Sequence, residues 1–126
     1  NPVQSAEAHH KLGLAFRSMK NLERARDEIQ KSLAIHGNRP DVLNNLGDVY
    51  RDLGDKKKSL EAFEKAVTLM PNYPIARFNL AEAYLQNNPK LALSEYETYL
   101  ALAEGVPEEH DRIARAKQRG AELTRR

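Results

Sequence analysis

The side chains best suited to chemistry in this chain are its histidines, two close pairs of glutamates and one run of lysines. His9 and His10 are adjacent. On a helix they point about 100° apart and cannot grip one metal ion, which needs histidines at i and i+4. His36 and His110 stand alone, so all four read as structural or solvated histidines. Glu61 with Glu64, and Glu108 with Glu109, have the make-up of an acid–base pair, yet they fall on polar helix faces where carboxylates are solvated. Lys56, Lys57 and Lys58 open a helix after a turn, either as a phosphate-binding patch or as solvated charge. No G-x-S-x-G, G-x-G-x-x-G, P-loop or H-E-x-x-H pattern is present. There is no Cys, which rules out disulfides, thiolate metal sites and cysteine nucleophiles and leaves the redox compartment open. The sequence points to no enzyme, no metal and no cofactor.

Composition narrows the partners. The 126 residues suit one domain over positions 1–126, with 40% hydrophobic and 30% charged residues. A net charge of +2 is too small for a nucleic-acid binder, and no basic stripe with interleaved aromatics appears. No apolar run approaches the roughly 20 residues of a membrane span, so membrane insertion is not expected. No signal peptide is visible, which favours the cytoplasm and leaves export or a periplasmic location open. The chain starts at Asn1 and ends on Arg125 and Arg126, as a processed chain or a fragment of a longer protein would.

The elements that position these residues repeat. Leu12, Leu46 and Leu80 are spaced by 34, as are Gly13, Gly47 and Ala81, and Phe16, Tyr50 and Tyr84. Asn45 and Asn79 keep the interval, and so do Pro40 and Pro74. A second signature follows in each unit: Ala25 with Ile29, Ser59 with Phe63, Ala92 with Tyr96. Its last step is 33, because the loop "QNNP" (86–89) is one residue shorter. Each unit reads as two helices. Leu12, Ala15, Phe16 and Met19 form one apolar stripe at helical spacing, and Ala25, Ile29, Ser32 and Leu33 form another. Turn residues separate the helices of a pair, and "HGNRP" (36–40) and "MPNYP" (70–74) separate the pairs.

The pattern W-x2-L-G-x2-Y, A-x3-F, P on a 34-residue period marks the tetratricopeptide repeat. This chain resembles it over residues 6 to 106: His9-x2-Leu12-Gly13-x2-Phe16, Leu43-x2-Leu46-Gly47-x2-Tyr50 and Arg77-x2-Leu80-Ala81-x2-Tyr84. Pro71 supplies the terminal proline of the middle unit, Gly37 replaces it in the first, and the Trp is missing throughout. The resemblance implies an all-α, right-handed helical-repeat solenoid of three helix-turn-helix repeats, at about 6–39, 40–73 and 74–106. The small residue at Gly13, Gly47 and Ala81 then lets the two helices of a pair cross closely, with the aromatic one turn later filling the wedge. The alternative, that Gly47 ends its helix, conflicts with the stripe continuing to Tyr50 and Leu53. A stacked array needs a polar-faced cap. Residues 107–124 fit one, with Ile113, Ala116, Gly120 and Leu123 facing in and Arg112, Arg115, Lys117 and Arg119 facing out.

The resemblance also implies where a partner binds: on the concave surface lined by the first helix of each pair. Helical spacing places His10, Leu14 and Arg17 there in the first unit, with Glu7, Lys11 and Ser18. In the second unit it places Asn44, Asn45, Asp48 and Arg51, with Asp41 and Asp52. In the third it places Ile75, Phe78, Asn79, Glu82 and Leu85, with Gln86. Similar repeats use an asparagine at the Asn45 and Asn79 position to hold a peptide by its main chain, and a carboxamide can both donate and accept. The alternative is that these amides bind only water or a neighbouring helix. Leu14, Ile75, Phe78 and Leu85 form an apolar patch of the kind that marks a groove, unless their neighbours or the terminal helix cover it. Similar chaperone-tail receptors clamp a terminal carboxylate with Lys, Asn, Asn, Lys and Arg. Here His10, Leu14, Asn45, Ile75 and Asn79 hold those places and only Asn45 matches. The face carries Glu7, Asp41, Asp48, Asp52 and Glu82 against Lys11, Arg17 and Arg51, so an acidic tail would be repelled. The expected function is a scaffold or adaptor binding a protein or peptide segment. A homo-oligomerisation module using the same groove, and a regulatory domain of a larger protein, are the alternatives.

Overall fold

The computed structural model describes residues 1–125, and every regular element among them is helical. Helix α1 spans Pro2–Ser18, α2 Leu22–Ile35, α3 Pro40–Leu53, α4 Lys56–Leu69, α5 Pro74–Tyr84, α6 Pro89–Ala103 and α7 His110–Thr124. Pro2, Pro40, Pro74 and Pro89 each sit in a first turn, where the missing N–H has no helical partner to lose. Asn1, Asp55 and Asn88 cap α1, α4 and α6, their side chains accepting from the backbone N–H three residues on. Pro107 opens one 3₁₀ turn, Pro107–Glu109, rather than the last helix itself. Among the described residues no helix is long and apolar enough to cross a membrane.

The chain divides into two compact units, Asn1–Met70 and Pro71–Arg126. In the first, α1 pairs with α2 and α3 with α4, and α2 packs on α3. Ala25 and Ile29 of α2, Val42, Leu46, Val49 and Tyr50 of α3, and Ala62 of α4 form its core. The crossings are as tight as the small residues suggest. A methyl group on Gly13 would meet Ile29 Cγ1 at 2.6 Å, and one on Gly47 would meet the Phe63 ring at 2.5 Å. Ser59 Oγ donates to the Gly47 carbonyl at 2.8 Å and ties α4 to the same point. In the second unit α5 pairs with α6, and α7 packs on α6. Its core is Phe78, Ala81, Ala92, Tyr96, Tyr99, Ala103, Ala116 and Leu123. The inward stripe expected on α7 is therefore present, with Ile113 packed against it.

The stripe on α1 divides. Phe16 packs on the core, but Leu12 is 44% exposed, Met19 is 69% exposed, and Ala15 is exposed as well. Their counterparts on α3, Leu46, Val49 and Leu53, lie in or against the core that α2 helps to form. On α3 that face is covered by α2, the second helix of the pair before it.

Candidate functional site

In the first unit the inner face is built by α1 and α3, and their side chains meet turn by turn. His10 is buried, and its Nε2 accepts a hydrogen bond from Asn45 Nδ2 at 2.8 Å. That bond needs a lone pair on Nε2, so it belongs to an imidazole unprotonated there. An amide offers two N–H groups and two acceptor lone pairs, and this contact uses one of the N–H groups. Asn44, next in the chain, is buried. Toward the helix C-termini, Arg17 bonds Asp52 at 2.9 Å and lies 3.8 Å from Asp48. Arg51 closes on Asp48 at 3.1 Å and on Asp52 at 3.8 Å. At the other end, Arg39 joins Glu7 at 3.0 Å to Asp41 at 2.9 Å. Burial pushes the Asp41 carboxyl up, but the hydrogen bond and charge of Arg39 outweigh it and hold the group below its ordinary value. Leu14 is half-buried, one turn from both His10 and Arg17. His9 turns away from His10, its Nδ1 donating to Glu28 on α2 at 2.7 Å, as their angular separation requires.

In the second unit the corresponding residues lie deeper. Phe78 is only 5% exposed and packs edge-on to Tyr96 and Tyr99, with ring centres 6.0 and 5.2 Å away. The patch expected from Ile75, Phe78 and Leu85 is thus largely drawn inward. Phe78 belongs to the core that Ala116 and Leu123 of α7 complete, Leu85 packs against it, and Ile75 is half-buried. Asn79 is buried. Glu82 accepts from the Tyr96 hydroxyl, and burial together with this carboxylate raises the phenol's pKa well above its ordinary value. Arg119 Nε lies 3.5 Å and Arg115 Nη1 4.0 Å from the same carboxylate. Tyr99 donates to Glu109 at 2.8 Å, and Arg112 bonds Glu109 at 2.7 Å.

Two of the arginines expected on the outer side of the last helix therefore turn to Glu82. Each carboxylate of the inner faces has an arginine beside it, and the acidic balance counted from first helices alone does not describe them. Arg39, Arg115 and Arg119 are the residues that reasoning missed. A signal was present for one: Arg115 follows Glu82 by 33, the spacing of the last repeat step, so α7 continues the series of first helices. Such part-exposed ion pairs add little stability. They fix side chains and neutralise a surface, leaving amide groups and an aliphatic side chain to make contacts.

Sequence profiles of the tetratricopeptide repeat match residues 4–72 and 44–110. The chain belongs to the tetratricopeptide repeat family. A search of curated proteins by sequence finds no match. Solved structures are similar in fold. The type III secretion chaperone SycD of Yersinia enterocolitica, in complex with a peptide of the translocator YopD, has a TM-score of 0.88 at 17% identity, covering 94% of this chain and 91% of that one. PcrH of Pseudomonas aeruginosa, in complex with the chaperone binding region of PopD, has 0.85 at 23% identity, covering 94% and 90%. The first tetratricopeptide domain of Spaghetti, bound to an HSP90 peptide, has 0.80 at 20% identity, covering 92% and 93%.

Proposed function

We propose that this chain is a non-catalytic scaffold that holds a segment of a protein partner on the inner face of its first helices. The observation that carries the reading is the α1/α3 face of the first unit. There a half-exposed aliphatic side chain, Leu14, is framed along its helix by the His10–Asn45 hydrogen bond and the Arg17–Asp48–Arg51–Asp52 cluster. Membership of the repeat family and the peptides held by SycD, PcrH and Spaghetti support it. Asn45 would hold main-chain groups of the segment, Leu14 an apolar anchor, and Asn44, Asp48 and Arg51 its flanks. In the second unit, Asn79 and the half-buried Ile75 and Leu85 are the counterparts, with Phe78 and Glu82 supporting them from within. Because the carboxylates of this face pair with arginines, the preferred segment is recognised by apolar anchors and main-chain bonds, with weak dependence on salt.

The test is selection of peptides from a random displayed library on the immobilised chain, followed by titration of a selected peptide. Leu14→Asp should weaken binding at least about tenfold and Asn45→Ala about fivefold, the loss of one hydrogen bond. Glu61→Ala, exposed on α4, should change nothing. Circular dichroism confirms that each variant is folded. Peptides that bind the Leu14 and Asn45 variants as well as the parent would place recognition elsewhere.

A further inference from the structure

We propose that His10 is a positioning residue: it decides which end of the Asn45 amide meets a bound segment, and its protonation reverses the choice. This role rests on the binding face proposed above and deepens it, since it names what that face reads at Asn45, a main-chain N–H of the partner. A carboxamide has a donor end and an acceptor end of nearly the same shape, and half a turn about its last bond exchanges them. On this face His10 makes the choice. Its Nε2 lies 2.8 Å from Asn45 Nδ2. An amide nitrogen only donates, so Nε2 presents a lone pair and the amide oxygen is turned away from the ring. Asn45 is half-buried, and among the described residues nothing bonds its Oδ1. The amide therefore offers a segment one acceptor and its second N–H. The acceptor calls for a donor, which in a peptide backbone is the N–H that every residue except proline carries.

A protonated imidazole carries N–H at both nitrogens and cannot accept. Nε2 and Nδ2 would then be two donors face to face. His10 is buried, so its ring has little room to swing away, whereas the amide needs only half a turn to offer Oδ1. Two N–H groups would then face the segment, and the segment's own N–H would lose its acceptor. Histidine changes charge between about pH 5 and 8. Among the charged groups around His10, Asp41 on α3 lies near enough to feel its charge, and it is held below its ordinary value, so it stays ionised across that window. Arg39 ties Asp41 to Glu7, one turn before His10, and Lys11 beside it is exposed. Toward α2, His9 is engaged with Glu28, which Lys31 also bonds. His9 is thus a neighbouring histidine with a different partner, and it serves as the control.

The chain alone gives the first test. Nitrogen-15 spectra should show His10 Nε2 unprotonated at about pH 8, and the Asn45 side-chain amide signals should move with the midpoint at which His10 takes up its proton. The second test uses a peptide selected on the immobilised chain at about pH 7.5, lacking histidine and with blocked termini. N-methylation of its residues one at a time should reveal one position that costs about fivefold on the parent chain and nothing on Asn45→Ala. Affinity for the unmodified peptide should fall about fivefold between about pH 7.5 and 5.5, along the His10 midpoint, in the parent and in His9→Gln alike. His10→Phe, which places here the kind of ring that Phe78 supplies at the same register, should bind without that fall, with circular dichroism confirming its fold. Asn45 signals blind to the His10 midpoint, or a proton on Nε2 at about pH 8, would overturn the role of His10 whatever any variant does. Binding that needs Asn45 yet shows no N-methyl-sensitive position and no fall in acid would overturn it too, and leave the binding face standing. A peptide indifferent to Asn45→Ala would overturn the binding face, and the reading of a main-chain N–H with it.

Discussion

Adding one methyl group at Gly47 should destabilise the first unit, although helix propensity alone predicts the reverse. Gly is about 1 kcal/mol worse than Ala inside a helix, so Gly47→Ala starts with that advantage. The new Cβ would lie 2.5, 2.7 and 2.8 Å from Cε1, Cδ1 and Cζ of Phe63. Carbon contacts are comfortable at about 3.5–4.0 Å, so the ring must withdraw by about 1 Å. Phe63 is 1% exposed and has no open side to move toward. Overpacking of this kind costs about 1–3 kcal/mol. The net effect is a loss of about 1 kcal/mol, or about 3–5 °C in Tm for a chain of this size. Urea unfolding followed by far-ultraviolet circular dichroism measures it. Phe63→Leu supplies the internal control by removing the outer ring atoms. In that background Gly47→Ala should become neutral or stabilising, a coupling of about 1–2 kcal/mol. A Gly47→Ala chain more stable than the parent would show that the α3–α4 crossing is not held by close approach.

Lys20 is the residue with positive φ, 64°, among the non-glycines described, at the position that Gly54 fills 34 residues later with φ 86°. Both turns carry the same pair of bonds, Lys20 N–H to Arg17 and Asn21 N–H to Phe16 in one, Gly54 N–H to Arg51 and Asp55 N–H to Tyr50 in the other. Lys20→Gly should therefore stabilise by up to about 1 kcal/mol, read as a higher urea midpoint. Glu28 is held below its ordinary pKa of 4.5, first by the hydrogen bond from His9 and then by Lys31, against the opposing pull of burial. A depressed carboxylate contributes stability that is complete above its unfolded pKa and is lost as pH falls through the folded one. The parent chain should lose more stability than Glu28→Gln on acidification below about pH 4.5. Parallel acid-unfolding curves would count against it.

The paired helices were legible because each within-pair contact is written three times. Leu, a small residue and an aromatic recur at fixed offsets, and the prolines at 40, 74 and 89 mark where first turns begin. One copy of a motif could be coincidence, whereas three in register specify a crossing. The third copy shows how far the rule bends. Ala81 carries the methyl group that Gly13 and Gly47 lack, and it is fully buried in a core where Tyr96 replaces Ile29 and Phe63. The one-residue-shorter loop before α6 leaves that pair with a different turn, closed by Asn88 N–H on the Tyr84 carbonyl.

What was illegible lies between pairs, where each contact occurs once. Periodicity says which side of a helix a residue occupies, and it placed His10, Asn45, Arg17 and Asp48 on one face correctly enough to bring them together. It does not say how deep that side lies. Phe78 and His10 share a register position, and both are buried, but one ends in a tyrosine-lined core and the other in a hydrogen bond to an amide. The difference comes from neighbours: α7 brings Ala116 and Leu123 to the core of Phe78, while α3 brings Asn45 to His10. The same reasoning explains the arginines of α7. Taken alone, Arg115 and Arg119 are polar residues opposite an apolar stripe, hence outward. Placed beside α5, they have a carboxylate, Glu82, within reach. A repeat sequence therefore predicts its pairs from the period, and predicts the make-up of its inner face only once each first helix is read together with the helix next to it.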